Sequence, residues 1–537
     1  MSVRGRGIGR GRGRGGLGGR GGRGGHATTW NGAVSHASSG SARVDFFYGA
    51  LREVEKDQFV ELLSASYKEN PLHTLKLVAY VRDCRGGKGE RQLGRWALEW
   101  LATHHTTALT QNLKHYIGEY GRFDDPAAVM GTPVEKDALK LLRMQLKEDL
   151  KILKQDNEHS SISLCAKWIP SQQKALDKKL QMNKKLSKHM GISPAKLRKV
   201  YLAPLREKLQ ILERSMCANK WGEIELSKVP SVAMHIHGKP EHAFERHLGE
   251  KFTAWKGDLA TGKAKVNAKA LFPYEVVAQY MRRNEVDELL EAQWKVMVKE
   301  ASTMGAMKKT LVLSDTSGSM SGRPMEVSIA LGLLISSLAM DAYKDLVLTF
   351  ESTPQFHHVV GENLFERVRC LQNAPWGGST NFAAAFRAIL ALAKKNSLAP
   401  DQMPERLIVV SDMQFDSADY NFETNYQVLK REFEAAQYPV PHLAFWNVNG
   451  SVTDVPTFSG EAKVSLVSGF STAILKCVLS GVEVTPLDTV LEAILNPRYD
   501  AITLPAGEEE ENSDGVLLGG DDGDDDDSED VLLEAVF

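Results

Sequence analysis

Three loops of this 537-residue chain carry aspartates and hydroxyls that could share one cation. Asp315-Thr316-Ser317-Gly318-Ser319 follows the apolar run Leu311-Val312-Leu313 and precedes a long amphipathic segment. Thr380 stands in Trp376-Gly377-Gly378-Ser379-Thr380-Asn381, and Asp412 closes Leu407-Ile408-Val409-Val410-Ser411-Asp412. A hard divalent cation takes oxygen ligands and keeps some of its waters. Two carboxylates offset its charge, while hydroxyls ligate without adding any. Asp315, Ser317, Ser319, Thr380 and Asp412 therefore predict a site for Mg2+ or another divalent cation, with one coordination position open to an acidic group on a partner. Two other readings compete. Asp and Ser after a strand can simply cap the next helix. An aspartate ending a first strand is also the nucleophile of some phosphatases, but those folds need a second Asp two residues on, where this chain has Ser317. A site that organises binding needs no general base, so no catalysis is expected.

Such loops need a scaffold that delivers them to one edge. Thr310–Ser314, Leu346–Phe350, Leu407–Ser411, His442–Val448 and Val464–Val467 are short, apolar and β-rich. Between or after them lie helical stretches at Met325–Ala342, Phe382–Lys395, Tyr426–Ala436 and Thr472–Leu479. Alternating strands and helices require right-handed crossovers and a doubly wound sheet, which binds ligands at the carboxyl ends of its strands. Gln355–Val360, with Pro354 just outside it, suits a short antiparallel edge strand.

Upstream the periodicity changes. Apolar residues recur at spacings of three and four in Phe59-Val60-Leu62-Leu63, Leu75-Leu77-Val78-Tyr80-Val81 and Leu139-Leu141-Leu142-Leu146-Leu150, which predicts helix almost throughout. The expected organisation is a disordered Arg/Gly-rich arm (1–43), an all-α, repeat-like domain (44–302), an α/β doubly wound domain (303–500) and a disordered acidic tail (501–537).

The formal net charge of −2 conceals opposite ends. Residues 1–25 hold seven arginines and no acid, while no lysine or arginine follows Arg498. Five scattered cysteines lack zinc or redox spacing, so they read as free, buried thiols in a reducing compartment. The glycine–arginine start lacks a signal peptide's apolar centre, and Val327–Met340 is too short to span a bilayer. An intracellular protein, cytoplasmic or nuclear and without a membrane partner, is expected. The histidines His235, His237, His242 and His247 have no cysteine beside them and no ligand spacing, and read as an exposed His-rich loop.

Asp315-x-Ser317-x-Ser319, then Thr380, then Asp412 resemble the metal-dependent adhesion site of von Willebrand factor A domains in order, spacing and strand context. The resemblance implies that Ser317, Ser319 and Thr380 bind Mg2+ through hydroxyls, with Asp315 and Asp412 acting directly or through water. Further segments are similar to those of the family known as domain of unknown function 2828. They are Tyr80-Val81-Arg82-Asp83-Cys84-Arg85-Gly86-Gly87-Lys88-Gly89-Glu90-Arg91, Tyr120-Gly121-Arg122-Phe123-Asp124-Asp125, Ser163-Leu164-Cys165-Ala166-Lys167-Trp168-Ile169-Pro170-Ser171 and Lys265-Val266-Asn267-Ala268-Lys269-Ala270-Leu271-Phe272-Pro273. The match covers roughly residues 44–490. The architecture is also similar to that of the Ro autoantigen family, in which a ring of helical repeats precedes an A domain and binds small or misfolded RNAs.

That second likeness directs attention to positive charge. The glycine-rich segment holding Arg85 and Lys88 lacks Walker spacing and follows a helix, so it is either a turn held by Arg–Asp pairing or a phosphate-contacting turn. Lys178, Lys179, Lys184 and Lys185 belong to a basic run between Lys167 and Arg214, either a solvated helix face or a phosphate-tracking surface. Arg4, Arg6, Arg10, Arg12, Arg14, Arg20 and Arg23 of the arm are suited to single-stranded nucleic acid through charge and guanidinium stacking. Two functions follow as expectations. One is a non-enzymatic scaffold in RNA–protein assemblies. The other is an adaptor that captures an acidic protein through the metal site, its helical domain binding no RNA. The acidic tail reads as a solvating or interaction segment, and the sequence sets no oligomeric state.

Overall fold

The computed structural model describes residues 26–29, 31, 33–155, 161–305, 307–349, 354–374, 381–416, 425–451, 454–479 and 483–506. Its first elements are two short antiparallel strands, β1 (His26–Thr28) and β2 (Val34–His36). Both fall in the stretch expected to be a disordered arm. Their order comes from the far half of the chain. Thr29 Oγ1 donates to the Phe415 carbonyl at 2.7 Å, and His36 and Val455 exchange backbone hydrogen bonds at 2.9 Å.

Helices then follow to residue 302: α1 (Ala42–Gly49), α2 (Lys56–Glu69), α3 (Pro71–Arg82), α4 (Arg91–His104), α5 (Thr106–His115) and α6 (Glu135–Lys154) come first. Local chemistry sets their limits. Asn70 accepts the His73 N–H and Pro71 opens α3, which places a side-chain cap and a pre-set φ at one terminus. In α6 the buried Leu139, Leu142 and Leu146 recur at helical spacing, with lysines on the opposite face. Shorter helices and turns continue to Glu288–Ser302. His235 corrects the expectation of an exposed His loop. It lies buried in the Ser231–His237 helix, with Gln279 and Gln293 as partners, and burial pushes its imidazole down to about 4.

The C-terminal half is a mixed six-stranded sheet: β3 (Thr310–Ser314), β4 (Leu346–Thr349), β5 (Phe356–His358), β6 (Arg406–Ser411), β7 (His442–Asn447) and β8 (Val464–Ser468). The order is β5-β4-β3-β6-β7-β8, parallel except for the antiparallel edge strand β5. β3 and β6 are adjacent and central, and every residue of both is buried. The Arg323–Leu338 helix returns the chain from β3 and is apolar on nearly all sides, as befits an element enclosed between the sheet and other helices.

The two halves share one hydrophobic core, and a smaller core gathers residues between Leu212 and Leu289. α1 lies against β8 and the Pro486–Ile494 helix. The chain after residue 500, expected to begin the disordered tail, is held on α5 at Thr503 and Leu504: Thr503 N–H donates to Asn112 Oδ1 at 3.0 Å, and Gln111 donates to the Leu504 carbonyl. All five cysteines are free. Cys165 and Cys477 are buried as expected, whereas Cys217 is exposed. No helix among the described residues is long and apolar enough to cross a membrane.

Candidate metal centre

β3 ends at Ser314, and the sheet ladder extends one residue further through Asp315 N–H to the Val410 carbonyl at 2.9 Å. That bond holds the Asp315 side chain at the carboxyl edge between β3 and β6. The carboxylate is fully buried. Oδ1 accepts the Ser317 N–H at 2.9 Å, and Oδ2 accepts the Ser411 hydroxyl at 2.5 Å. Ser317 and Ser319 place their hydroxyl oxygens 3.0 Å apart, with Gly318 and Ser319 exposed. One residue past β6, Asp412 is also buried. Its Oδ1 accepts the Gln414 N–H at 3.2 Å, whereas its buried Oδ2 has no hydrogen-bond partner among the described residues. The Ser319 hydroxyl approaches the same carboxylate and, as a donor, opposes the upward push of burial. The next residue, Met413, has φ 64, a left-handed conformation that costs a side-chain-bearing residue ~1 kcal/mol.

The electrostatics follow from this enclosure. Burial and the neighbouring Asp412 carboxylate push the Asp315 carboxyl up to about 6, and burial raises Asp412. Two carboxylates withdrawn from water, one with an oxygen lacking a donor, are an unfavourable arrangement unless a cation or proton offsets it. The residues fit a divalent ion. Asp315, Asp412 and the Ser317 and Ser319 hydroxyls converge, and the exposed Gly318–Ser319 turn leaves one side open. Such an ion would neutralise the carboxylates.

Four of the five expected ligands are thus brought together, and Thr380 lies outside the described residues. Its neighbour Asn381 caps the Phe382–Lys395 helix, accepting the Ala384 N–H at 2.9 Å. Phe382 packs on Phe415, three residues beyond Asp412, with ring centroids 4.9 Å apart. Sequence reasoning missed Ser411, which orients Asp315 and also receives the Met413 N–H at 3.0 Å. Its position as the last residue of an apolar strand, beside a candidate ligand, was the available signal. Thr316 was likewise passed over. It is buried, and its hydroxyl has no partner among the described residues.

The nucleic-acid candidates divide differently. Lys178, Lys179 and Lys184 are exposed, and Lys185 is half-buried and paired with Glu135 at 2.7 Å. Arg85 is exposed and donates to the Glu119 carbonyl at 2.7 Å. Lys88 is a correction: it is wholly buried, so it cannot meet a phosphate. Its ammonium donates to the Phe47 and Ala50 carbonyls and to Ser468 Oγ, joining the helical half to the end of β8. The turn around it is held by Arg–Asp pairs, as one of the two sequence readings expected. Arg82 and Arg95 meet Asp125, Arg91 and Arg95 meet Asp124, and Arg498 meets the buried Asp83. The arginines from Arg4 to Arg23 lie outside the described residues.

Residues 29–125 and 138–307 match the family model described as a domain of unknown function, DUF2828. An uncharacterized protein, L728, of Acanthamoeba polyphaga mimivirus is 32% identical over 506 residues, covering 87% of this chain and 88% of the viral protein. The chain belongs to the DUF2828 family. The DUF2828 match begins at Thr29, beside β1, and ends at Met307, just before β3. Residues 309–507 match a second model, described as a domain of unknown function, DUF7788, and this span holds the candidate metal centre. Among solved structures, the crystal structure of the Deinococcus radiodurans Ro (RSR) protein aligns over 85% of this DUF2828 protein and 99% of that chain. The identity is 14% and the TM-score 0.34, below the level of a shared fold.

Proposed function

We propose that this chain is a non-enzymatic binding scaffold whose C-terminal half is a von Willebrand A-type domain with a Mg2+-dependent adhesion site. Asp315, Ser317, Ser319, Thr380 and Asp412 would hold the ion, and an acidic side chain of a partner would supply its last ligand. The observation that carries this reading is the buried Asp412 Oδ2, which lacks a partner beside a second buried carboxylate and two hydroxyls. In an adhesion-type site the ion's role is to be shared between two molecules, and no group need transfer a proton. The test is thermal unfolding of the full chain with and without Mg2+. Wild type should be stabilised, by RT ln(1 + [Mg2+]/Kd) for an ion that binds only the folded state. Asp315→Ala and Asp412→Ala should fold yet lose the response. An equal response in all three proteins defeats the proposal, and Mg2+-dependent phosphoester turnover that Asp315→Ala abolishes would show an enzyme instead.

The scaffold's setting is RNA–protein assemblies inside the cell. The supporting observation is an exposed lysine-rich surface on the helical half, around Lys178, Lys179 and Lys184. The alternative is an adaptor that binds only protein, its arginine-rich arm driving clustering. RNA binding across a salt series separates them, comparing the full chain with one lacking residues 1–25. Because Thr29, His36 and Ser39 are bonded to the α/β half, the deletion must stop short of them. Retained, salt-sensitive affinity supports the helical surface, and complete loss supports the adaptor.

A further inference from the structure

We infer that the lysine-rich surface of the helical half is the docking site for the chain's own acidic C-terminus, which occupies it in place of a polyanion. Between residues 161 and 206 the sequence has eleven lysines and arginines and one acid, Asp177. That acid is buried, accepts the backbone N–H groups of Gln173 and Asn183, and lines the first cleft, where one carboxylate among this many cations leaves the surface strongly positive. Lys178, Lys184 and Lys188 line one cleft, with Gln181 and Ser187 between them. Lys147, Lys151 and Lys154 line a second, along one face of α6. The elements touch, since α6 packs against the Met182–His189 helix. Among the described residues none of these six lysines has a carboxylate partner, unlike neighbouring Lys185.

The proposed occupant has complementary charge. Residues 507–537 carry fourteen carboxylates, from Glu508 to Glu534, and no lysine or arginine. Its point of departure is also on the page. Asn112 of α5 grips both backbone groups of Thr503, α5 touches α6, and α6 bears the second cleft. The surface therefore begins about two helix spacings, roughly 20 Å, from the tail's root. Thirty-one residues span up to ~100 Å when extended, so reach is no obstacle. The metal centre could accept one carboxylate, whereas the lysine surface can meet many. Multiple charge contacts in parallel favour the lysines.

The inference refines the RNA reading by adding its regulation, but its primary test needs no RNA. The full chain is treated with a zero-length carbodiimide, which couples lysine amines to touching carboxylates, at about 50 mM and about 500 mM salt. Arginines of the arm cannot react. No lysine or arginine follows Arg498, so trypsin releases everything from Tyr499 onward as one traceable peptide. At low salt that peptide should be joined to Lys178, Lys184, Lys188 or the α6 lysines, and the links should fade at high salt. Combined Lys178→Glu, Lys184→Glu and Lys188→Glu substitutions should remove links to the first cleft and weaken the rest, with the matching Gln variant intermediate. A link between Asp500 and its ion-pair partner Lys76 is expected in any case; absence of links from residues 508–534 to these lysines, or links there that Asp315→Ala alone abolishes, overturns the inference. Ending the chain at Ala506 should further tighten binding of an oligouridylate about 10-fold at low salt in wild type, and not in the Glu variant. Tail links without any oligouridylate binding would sink the RNA reading while leaving this inference standing.

Discussion

Asp315 and Asp412 confront each other inside the protein, and the energetic meaning of that pairing depends on what lies between them. Without a cation, each carboxylate raises the cost of ionising the other. Asp412→Asn keeps the shape and removes one charge. It should therefore stabilise the Mg2+-free protein by about 1 kcal/mol, raising Tm by a few degrees, while eliminating the Mg2+ response. Wild type in excess Mg2+ should then match or exceed the variant. A variant that is less stable than wild type without metal would mean that Asp412 is held by donors and not by an ion. Much of this candidate site was legible beforehand because its acidic residues sit at strand ends, where apolar runs stop abruptly at Asp315 and Asp412. Ser411 carried only a strand-end position as its signal, and a serine there has the same local pattern whether its hydroxyl serves structure or orients a neighbouring carboxylate.

Among the elements, the turn between α3 and α4 shows where reading from sequence fails. Gly86-Gly87-Lys88-Gly89 has the composition of an exposed loop, yet Gly87 is pressed so closely on the Tyr80 carbonyl that a Cβ would lie 2.1 Å from it. The acceptors that draw Lys88 inward, Phe47, Ala50 and Ser468, come from α1, the residue that follows it and β8, and no local pattern announces them. The strands of the sheet behaved oppositely. Five-residue apolar runs such as Thr310–Ser314 report their own burial, so their limits were readable to within a residue or two. The β1–β2 ribbon escaped because His-Ala-Thr and Val-Ser-His acquire order only from partners near residues 415 and 455.

The same turn makes two stability predictions. Lys88→Met leaves two carbonyls and a hydroxyl without their donor and should cost about 2 kcal/mol at neutral pH. Burial pushes the Lys88 ammonium down to about 7, against about 10.4 for an unfolded lysine. The unfolded chain thus binds more protons between those values, so wild-type stability gains as pH rises through that window. The gap to Lys88→Met should widen from pH 7 to pH 9 in denaturant titrations. A constant or narrowing gap would mean the amine stays charged in the fold. Arg498→Ala removes the guanidinium from Asp83, which is fully buried and among the described residues otherwise keeps Tyr499 and the Arg85 N–H. Stranding that carboxylate should cost about 2–3 kcal/mol, less than for a fully enclosed pair because Arg498 is partly exposed. A Tm within a degree of wild type would count against it.

For the whole molecule, the decisive feature is that neither half is closed without the other. The sequence break near residue 303 suggests two domains, yet the buried core runs continuously across it. β2 is bridged to Val455, α1 covers β8, and Thr503 is fastened to α5. Gly450 meets the Arg52 carbonyl so closely that a Cβ would lie 2.1 Å away, and Arg323 pairs with Glu53 at 2.7 Å, four residues beyond Ser319. Small, polar interfaces let domains melt separately, whereas a shared apolar core forces them to unfold together. Calorimetry of the full chain should therefore show one transition, although its length would ordinarily allow two. Binding to the α/β half must then stabilise the helices as well. The helical circular dichroism signal at 222 nm, which arises largely from residues before 303, should shift upward with Mg2+ by as much as a probe of the sheet half, such as the β-sheet infrared band. Two resolved transitions, or a Mg2+ shift confined to the sheet probe, would mean that the halves meet without being thermodynamically joined.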